Sequence, residues 1–506
     1  MKTSIVLGFF ATAAYASTGG GSQYDKCRHK PIVNSKKLQH SIGERALIKG
    51  AQALQKQAFA YPARNRLMGT AGHNDTVKYI VKELEALDGY YKIELQKFSA
   101  LVQLNGTASL SINGVETTPG QFDYSPSGNT TAPLAVVSNL GCVASDYPSS
   151  LTGKVALISR GSCEFGLKSV LAGNAGATAA ILYDNQPGGP LTGTLGTPPR
   201  PEGEYIPTLG LSQEQGIQLR DSINGGANVT VKLNVLTDIQ VQTTNNVIAT
   251  SNCGNPNSTI VLGAHTDSVA AGPGINDDGS GTIGILEVAK QLAKYKVNHA
   301  VRFGFWSGEE EGLLGSTYYV EHASPSDLAG IRLYLNFDMI ASPNYIHAIY
   351  DGDGSAFNAT GPAGSAEIES FFEKYFASVG QNSTATAFDG RSDYAAFIDA
   401  GIPAGGTFTG AEEIKTPEEA VLFGGTAGQA LDPNYHAAGD TVENLSAQAF
   451  VLHTRAAAAA VAKYAVSLEG FPVRGAGSAK GRRGLGMRVK RRQVHVHGGT
   501  CKKRRA

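Results

Sequence analysis

Five residues between positions 265 and 436 constrain this chain most, because each closes an apolar run or opens the next element: His265, Asp277, Glu310, Asp338 and His436. Ile260 to Ala264 reads as a buried strand, with His265 next. Ala300 to Trp306 reads as a strand with Glu309 and Glu310 just past its end, and Ile331 to Phe337 as a strand followed by Asp338. Thr282 to Tyr295 has helical periodicity, with Asp277 in the loop that opens it. His436 lies in a loop before the last long helical stretch, Leu445 to Leu468. Strands alternating with helices predict an α/β fold, a mostly parallel central sheet sandwiched by helices. Such sheets bind ligands beyond the carboxyl ends of their strands, so three of the five residues are expected at one edge.

Two imidazoles and three carboxylates, with a spare Glu beside one of them, are the donor set that a pair of hydrolytic zinc ions needs. Each signal has a plainer reading. His265 alone fits a satisfied histidine at a strand end, but Asp267 two residues on can accept from its far ring nitrogen and orient a ligating imidazole. Asn276-Asp277-Asp278 also fits a polar turn with a helix cap. A calcium loop is rejected there because Gly279-Ser280-Gly281 runs directly into an apolar helix and no helix enters it. Asp351-Gly352-Asp353-Gly354-Ser355 lacks the rest of such a loop and reads as a turn. Glu309-Glu310-Glu311 follows the strand holding the single Trp, which argues against a solvated charge run. Glu310 then suits a metal and Glu309 a general base on the water. Tyr435, beside His436, can donate to a developing oxyanion. The chain contains no Gly-x-Ser-x-Gly elbow, His-Glu-x-x-His helix or Walker loop. His73, His299, His322, His347 and His453 read as structural or surface residues, and His495 and His497 as non-catalytic.

At 506 residues, 42% apolar and 17% charged, the chain has room for two or three domains. Lys2, the apolar stretch from Ile5 to Ala14 and Ala14-Tyr15-Ala16 read as a secretory signal over residues 1–16, and no later apolar run suggests a membrane anchor. Asn74, Asn105, Asn129, Asn228, Asn257, Asn358, Asn382 and Asn444 begin N-glycosylation sequons, consistent with a secreted, extracellular protein. Five cysteines allow two disulfides, of which Cys142–Cys163 is the expected one; partners for Cys27, Cys253 and Cys501 are not legible. The net charge of zero conceals an asymmetry: 12 of the 43 basic residues and no acid lie from Arg474 onward, leaving 31 basic against 43 acidic residues before it. That tail, 471–506, is expected to be disordered, and nucleic-acid binding is not expected of it.

Before the α/β pattern, Ser41 to Ala58 and Asn74 to Leu87 have helical periodicity, the second with Asn74 or Asp75 placed to cap it. Tyr91 to Phe98 alternates as a strand. From Pro119 to Leu233 the texture changes to short β-like runs (Leu134 to Val137, Val155 to Ser159, Ala179 to Tyr183) among Gly, Pro and Asn, with one helix, Phe165 to Asn174. The expected division is therefore 17–118 and 234–470 for the main domain and 119–233 for an inserted β-rich one.

Ala264-His265-Thr266-Asp267-Ser268, Asn276-Asp277-Asp278-Gly279-Ser280-Gly281, Glu309-Glu310, Asn336-Phe337-Asp338 and Tyr435-His436 together resemble the secreted co-catalytic dizinc aminopeptidases related to aminopeptidase Y, of the fungal leucine aminopeptidase type. The resemblance extends from about Lys30 to Leu468. It implies a zinc-exopeptidase-like sheet and two zinc ions, one held by His265 and Asp338, the other by Glu310 and His436, with Asp277 bridging. It also implies Glu309 as general base acting on a hydroxide held between the metals, and Tyr435 as an oxyanion contact. Gly390-Arg391-Ser392-Asp393-Tyr394 resembles a family active-site segment, which makes Arg391 a candidate contact. The insert around Gly153-Lys154-Val155-Ala156-Leu157-Ile158-Ser159-Arg160-Gly161 looks like a protease-associated domain. The expected activity is removal of single residues, apolar and Leu-like, from peptides with a free N-terminus. Rival readings are a carboxypeptidase or glutaminyl cyclase on the same fold, or a non-catalytic receptor. The basic tail is not explained by the resemblance.

Overall fold

The computed structural model describes residues 25–473. The expected signal segment, Cys501, His495, His497 and nearly all of the basic tail lie outside the described residues.

Apolar runs that alternate in side-chain direction build a sheet buried on both faces. Strand Asn255–His265 pairs in parallel with His299–Trp306 on one side and Ile331–Phe337 on the other, and Ile331–Phe337 pairs in parallel with Ala404–Phe408. Ile260, Leu262, Ala264, Phe303, Phe305, Leu333, Leu335 and Phe337 point into one core. Helices Glu44–Phe59, Ala71–Glu85, Gly279–Leu292, Ser365–Ser378 and Ala447–Tyr464 cover that face. Val261, Trp306, Tyr334 and Ile331 point to the opposite face, under Leu314–His322 and Tyr394–Asp399. The expected sandwich is therefore present. His265 is the last residue of its strand rather than the residue after it, while Ile331–Phe337 begins and ends as expected.

The N-terminal elements differ in detail. The expected Asn74/Asp75 cap is wrong: the helix starts at Ala71, because Thr70 closes a turn onto the Leu67 carbonyl by both its N–H (3.0 Å) and its hydroxyl (2.7 Å). Asn74 instead donates to the Gly69 carbonyl at 3.0 Å, and Asp75 accepts from Tyr61 at 2.6 Å. The expected strand from Tyr91 continues to Ile112, paired antiparallel along its length with Thr230–Ser251. Apolar alternation fails beyond Phe98 because this two-stranded ribbon is only intermittently buried. Thr230–Ser251 belongs to both halves of the molecule: its end pairs with His299–Trp306, and its beginning with Gly128–Val136. Beyond that lies a second small sheet, Gly128–Val136, Val155–Ser159, Ala179–Tyr183 and Thr208–Leu211 in parallel, with its own cores on either face.

Two disulfides join the described cysteines. Cys142–Cys163 is the expected pair, and Cys27–Cys253 ties the N-terminal segment to the turn before the central strand across 226 residues. Among the described residues no helix is long and apolar enough to cross a membrane.

His347 and His453 are fully buried, with His347 Nδ1 2.9 Å from His453 Nε2 and His453 Nδ1 2.9 Å from the Thr407 hydroxyl. Burial holds His347 down to about 4, and burial with the neighbouring imidazole holds His453 well below the usual histidine range. In the unfolded chain both take up protons near pH 6.5, so below that pH the unfolded state binds more protons and stability falls with pH. Stability is thus expected to decline from about pH 6.5 towards 4, His347 contributing up to about 3 kcal/mol of the loss. Thermal melts across this range check it: His347→Gln should flatten the dependence.

Candidate functional site

Three loops at the carboxyl edge of the parallel strands, the start of helix Gly279–Leu292 and the loop before helix Ala447–Tyr464 converge. His265 Nε2 lies 3.1 Å from Asp277 Oδ1, 3.7 Å from Asp338 Oδ1 and 3.9 Å from Glu309 Oε2. His436 Nε2 lies 3.2 Å from Asp277 Oδ2 and 3.1 Å from Glu310 Oε2. The two oxygens of Asp277 therefore face two different imidazoles, and all five residues singled out as metal ligands meet in one cluster. The Tyr435 ring stacks on His436 at 3.8 Å. Arg391 donates to both Glu412 oxygens at 3.1 Å and to Glu413 at 3.4 Å, which holds its guanidinium 3.5 Å from the Tyr435 hydroxyl.

Asp267 differs from expectation. It lies 3.6 Å from His265 Nδ1, too far for a hydrogen bond. Its oxygens are directed at the next loop, accepting the N–H groups of Gly308 (2.8 Å), Glu309 (3.3 Å) and Glu310 (3.3 Å). Asp278 works the same way on three segments at once, accepting from the backbone of His265 (3.1 Å), Gly281 (2.8 Å) and Met339 (3.1 Å). As cap of its helix it starts that helix at Gly279, three residues before the expected Thr282. Asp440 accepts from the backbone of Asn276 (2.7 Å) and Asp277 (3.0 Å). Asp338 is oriented by the Ser392 hydroxyl at 2.6 Å, itself the end of a donor chain from Trp306 Nε1 through Tyr334 and Asn336.

So many acids cannot be buried together as free anions. Burial and the neighbouring Asp338, Glu310 and Asp393 push Glu309 well above the usual carboxylate range, and burial raises Glu310. Burial opposes charge on His265, yet Asp338, Asp267 and Asp277 outweigh it and hold that imidazole far above its ordinary value. His265 Nδ1 and Glu310 Oε1 are buried without a hydrogen-bond partner. Nitrogen and oxygen donors in excess negative charge, with one Glu310 oxygen left unpartnered among them, fit zinc. His265 with Asp278 and Asp338, and His265 with Asp277 and Glu310, each present donor atoms within 4.8 Å of one another. Asp278 spends its oxygens on backbone N–H groups, so Asp338 is the stronger donor of the first set.

One cation built into the site has no signature in the sequence. Arg66 is wholly buried, its guanidinium donating to the carbonyls of Thr266, Pro273 (2.8 Å) and Gly274, and its backbone N–H to the Ser268 hydroxyl (2.9 Å). Burial lowers its proton affinity, and Asp267, Asp440, Asp278 and Asp277 oppose that. Nothing local separates it from Arg64, which lies on the Phe59 ring.

Fold and site together define a metallopeptidase. Residues 246–461 match the profile of Peptidase family M28 and residues 130–219 that of the PA domain. The chain is 52% identical over 472 residues to the probable leucine aminopeptidase 2 of Aspergillus fumigatus, covering 93% of each protein. To leucine aminopeptidase 2 of Trichophyton rubrum it is 50% identical over 446 residues, covering 88% of this chain and 89% of that one. Among solved structures, an aminopeptidase from Aneurinibacillus sp. strain AM-1 superposes with a TM-score of 0.71 at 26% identity, over 86% of this chain and 96% of that one. A zinc aminopeptidase from Bacillus subtilis gives 0.61 at 25%, over 84% and 96%. The chain belongs to peptidase family M28 and is a peptidase with a PA domain.

Replacing Arg66 by Met keeps its bulk but leaves its carbonyls and the surrounding acids without a cation. Removing one partner of such a buried network costs about 3–5 kcal/mol. Arg66→Met should therefore unfold at clearly lower denaturant than the parent, with Arg66→Lys between them; equal midpoints would remove Arg66 from this role.

Proposed function

We propose that this protein is a secreted zinc aminopeptidase that removes apolar, Leu-like residues from free peptide N-termini, with two zinc ions and Glu309 as general base. The observation that carries this reading is the division of the Asp277 carboxylate between His265 and His436, with Asp338 and Glu310 on the outer sides. In it, His265 and Asp338 would hold one zinc and Glu310 and His436 the other, with Asp277 offering an oxygen to each. Bound zinc supplies Lewis acidity, polarising a carbonyl and lowering the pKa of water.

The chain's own residues do the rest. Glu309, raised by burial among acids, takes the proton of the attacking water and delivers it to the leaving amine. The Tyr435 hydroxyl, beside Arg391, donates to the oxyanion. Asp267 acts at one remove, fixing the backbone of Glu309 and Glu310. A cavity of about 70 Å³ opens on the site, with Met339, Tyr350, Ala387, Phe408 and Ala411 on its apolar part and Glu309, Glu310 and Asp338 on its acidic part. That combination suits a leucyl side chain beside an α-ammonium group. Names of the relatives, leucine aminopeptidases of fungi, point the same way. For organisation we propose a signal at 1–16, the protease-associated insert at 119–233, the peptidase domain from 17–118 and 234–470, and a basic tail at 471–506.

Leu-p-nitroanilide should be hydrolysed and its N-acetylated form left intact, with activity lost on chelation and restored by zinc. Glu309→Gln should lower kcat by about 10²–10⁴ while keeping two zinc ions per chain. Equal cleavage of the acetylated substrate would overturn the aminopeptidase reading, and one zinc per chain would favour a cyclase.

Secretion predicts glycans on accessible sequons only. Asn105, Asn129, Asn228, Asn257, Asn358 and Asn382 are exposed. Asn444 is 7% exposed and gives its amide to Asp432 at 2.9 Å. Glycopeptide mapping of the secreted protein should find Asn444 bare and carbohydrate among the six exposed asparagines.

A further inference from the structure

Glu309 and Glu310 stand in a loop, Gly308-Glu309-Glu310-Glu311-Gly312, between strand His299–Trp306 and helix Leu314–His322. Local hydrogen bonds close it: Gly312 and Leu313 donate to the Glu309 carbonyl at 2.9 and 2.8 Å, and Leu314 to the Gly308 carbonyl at 2.8 Å. These fix the loop's shape but not its place against the site. Gly308 and Gly312 at its ends are left-handed, with φ of 77° and 106°, and carry no side chain that could anchor it. On the sheet side the anchor is Asp267, which takes the N–H groups of Gly308, Glu309 and Glu310. On the other side the contact is made to Glu311, by a residue 187 positions earlier in the chain.

That residue is Tyr124, 4% exposed, directly after strand Gly120–Asp123, which pairs with Thr208–Leu211 of the second sheet and with Gly193–Thr194. Its hydroxyl donates to a Glu311 carboxyl oxygen and lies 3.2 Å from the Leu101 carbonyl, and its backbone N–H donates to Gln103 Oε1 at 2.7 Å. Tyr124 is itself left-handed, with φ of 61°, a conformation that a bulky residue keeps only where its surroundings impose it. Thr197, inside the segment that matches the PA domain, brings its hydroxyl to 3.5 Å from the Glu311 carbonyl. Two separate segments on the side of the small sheet therefore converge on one residue of the loop.

We propose that Tyr124 is a positioning residue for Glu309 and Glu310, acting through its hydrogen bond to Glu311. Glu310 Oε2 lies 3.1 Å from His436 Nε2, and Glu309 Oε2 3.9 Å from His265 Nε2. Asp267 holds the backbone of both at one end, so releasing Glu311 frees the other end and lets the two carboxylates drift together. A displacement of about 1 Å is enough to slow a reaction by up to about 10²-fold. The small sheet's domain then belongs to the scaffold of the site and is not only its neighbour. The roles of Glu309 and Glu310 rest on the aminopeptidase reading; the clamp on their loop does not.

The test uses the full-length, zinc-loaded protein with Tyr124→Phe, which removes the donor and keeps the ring, and Glu311→Ala, which removes the acceptor. Each should lower kcat on Leu-p-nitroanilide by about tenfold, with KM within about twofold of the parent. Tyr124→Phe should keep the parent's zinc content and a thermal midpoint within about 2 °C of it. The double variant should lose no more than the worse single one, because both substitutions remove the same bond. Hydrogen–deuterium exchange should rise severalfold across 308–314 in Tyr124→Phe and stay parental in strand Asn255–His265. Parental exchange across 308–314, a parental kcat, a loss confined to KM, or losses that multiply in the double variant would each overturn the proposal. If the parent leaves Leu-p-nitroanilide intact, the aminopeptidase reading falls, and the exchange experiment alone decides the clamp. If Glu311→Ala does not fold, Tyr124→Phe decides it.

Discussion

Negative charge gathered in a buried place governs this molecule. Asp267, Asp277, Asp278, Glu309 and Asp440 are all less than one-tenth exposed, and Glu310 and Asp338 close the same cluster. An apolar interior does not accept such a group unless each lone pair is met. Two kinds of partner meet them, the imidazoles of His265 and His436 and a set of backbone N–H groups, while the buried Arg66 guanidinium, bonded to main-chain carbonyls, adds positive charge nearby. The second set explains why the chain carries acids that no metal needs. Asp267, Asp278 and Asp440 together take eight backbone N–H groups, and those groups belong to the segments that carry His265, Asp277, Glu309, Glu310 and Asp338. One tier of carboxylates holds the backbone, and the other is thereby held in place around His265 and His436.

The parallel sheet makes this possible. Its strands end together, so residues far apart in sequence arrive at one edge, and the loops beyond them are short enough for one carboxylate to reach several. Asp278 shows the geometry best, joining the end of one strand, the first turn of a helix and the residue after Asp338. The sheet's two buried faces also explain the donor chain from Trp306 to Asp338. Tyr334 and Trp306 point to the same face and meet at 3.0 Å, and the chain then climbs through Asn336 to Ser392 at the sheet edge.

How much of this was legible follows from what each residue touches. His265, Glu310 and Asp338 could be found because an apolar strand runs directly up to them, and strand ends are visible as changes of residue type. The boundaries of Phe165–Asn174, Val155–Ser159, Ala179–Tyr183 and Ile331–Phe337 were legible for the same reason. Arg66 and Asp440 were not, because their partners are main-chain groups, which every residue has; such contacts leave no residue type to recognise. The long ribbon from Tyr91 is legible only to Phe98, because a two-stranded element with little buried surface has no need of alternation. Asp267 is legible beside His265, but only the fold shows that its oxygens also take the N–H groups of the following loop.

The inserted domain is joined to this arrangement at one further acid, Glu311. Tyr124 donates its hydroxyl to Glu311, and the Thr197 hydroxyl reaches the Glu311 carbonyl at 3.5 Å. Glu311 is pushed up to about 8, by burial first, with Asp123, Asp267 and Glu310 adding to it. A carboxyl group so placed is stable only with a donor, and the donor comes from a different part of the chain than the loop that carries it. Because Glu311 directly follows Glu309 and Glu310, whatever fixes it also limits the backbone freedom of those two residues. Asp267 holds that loop from the sheet side, and Tyr124 from the side of the insert. The three consecutive glutamates are thus a loop clamped at both ends, with its middle residue facing the site, and the insert is part of the clamp.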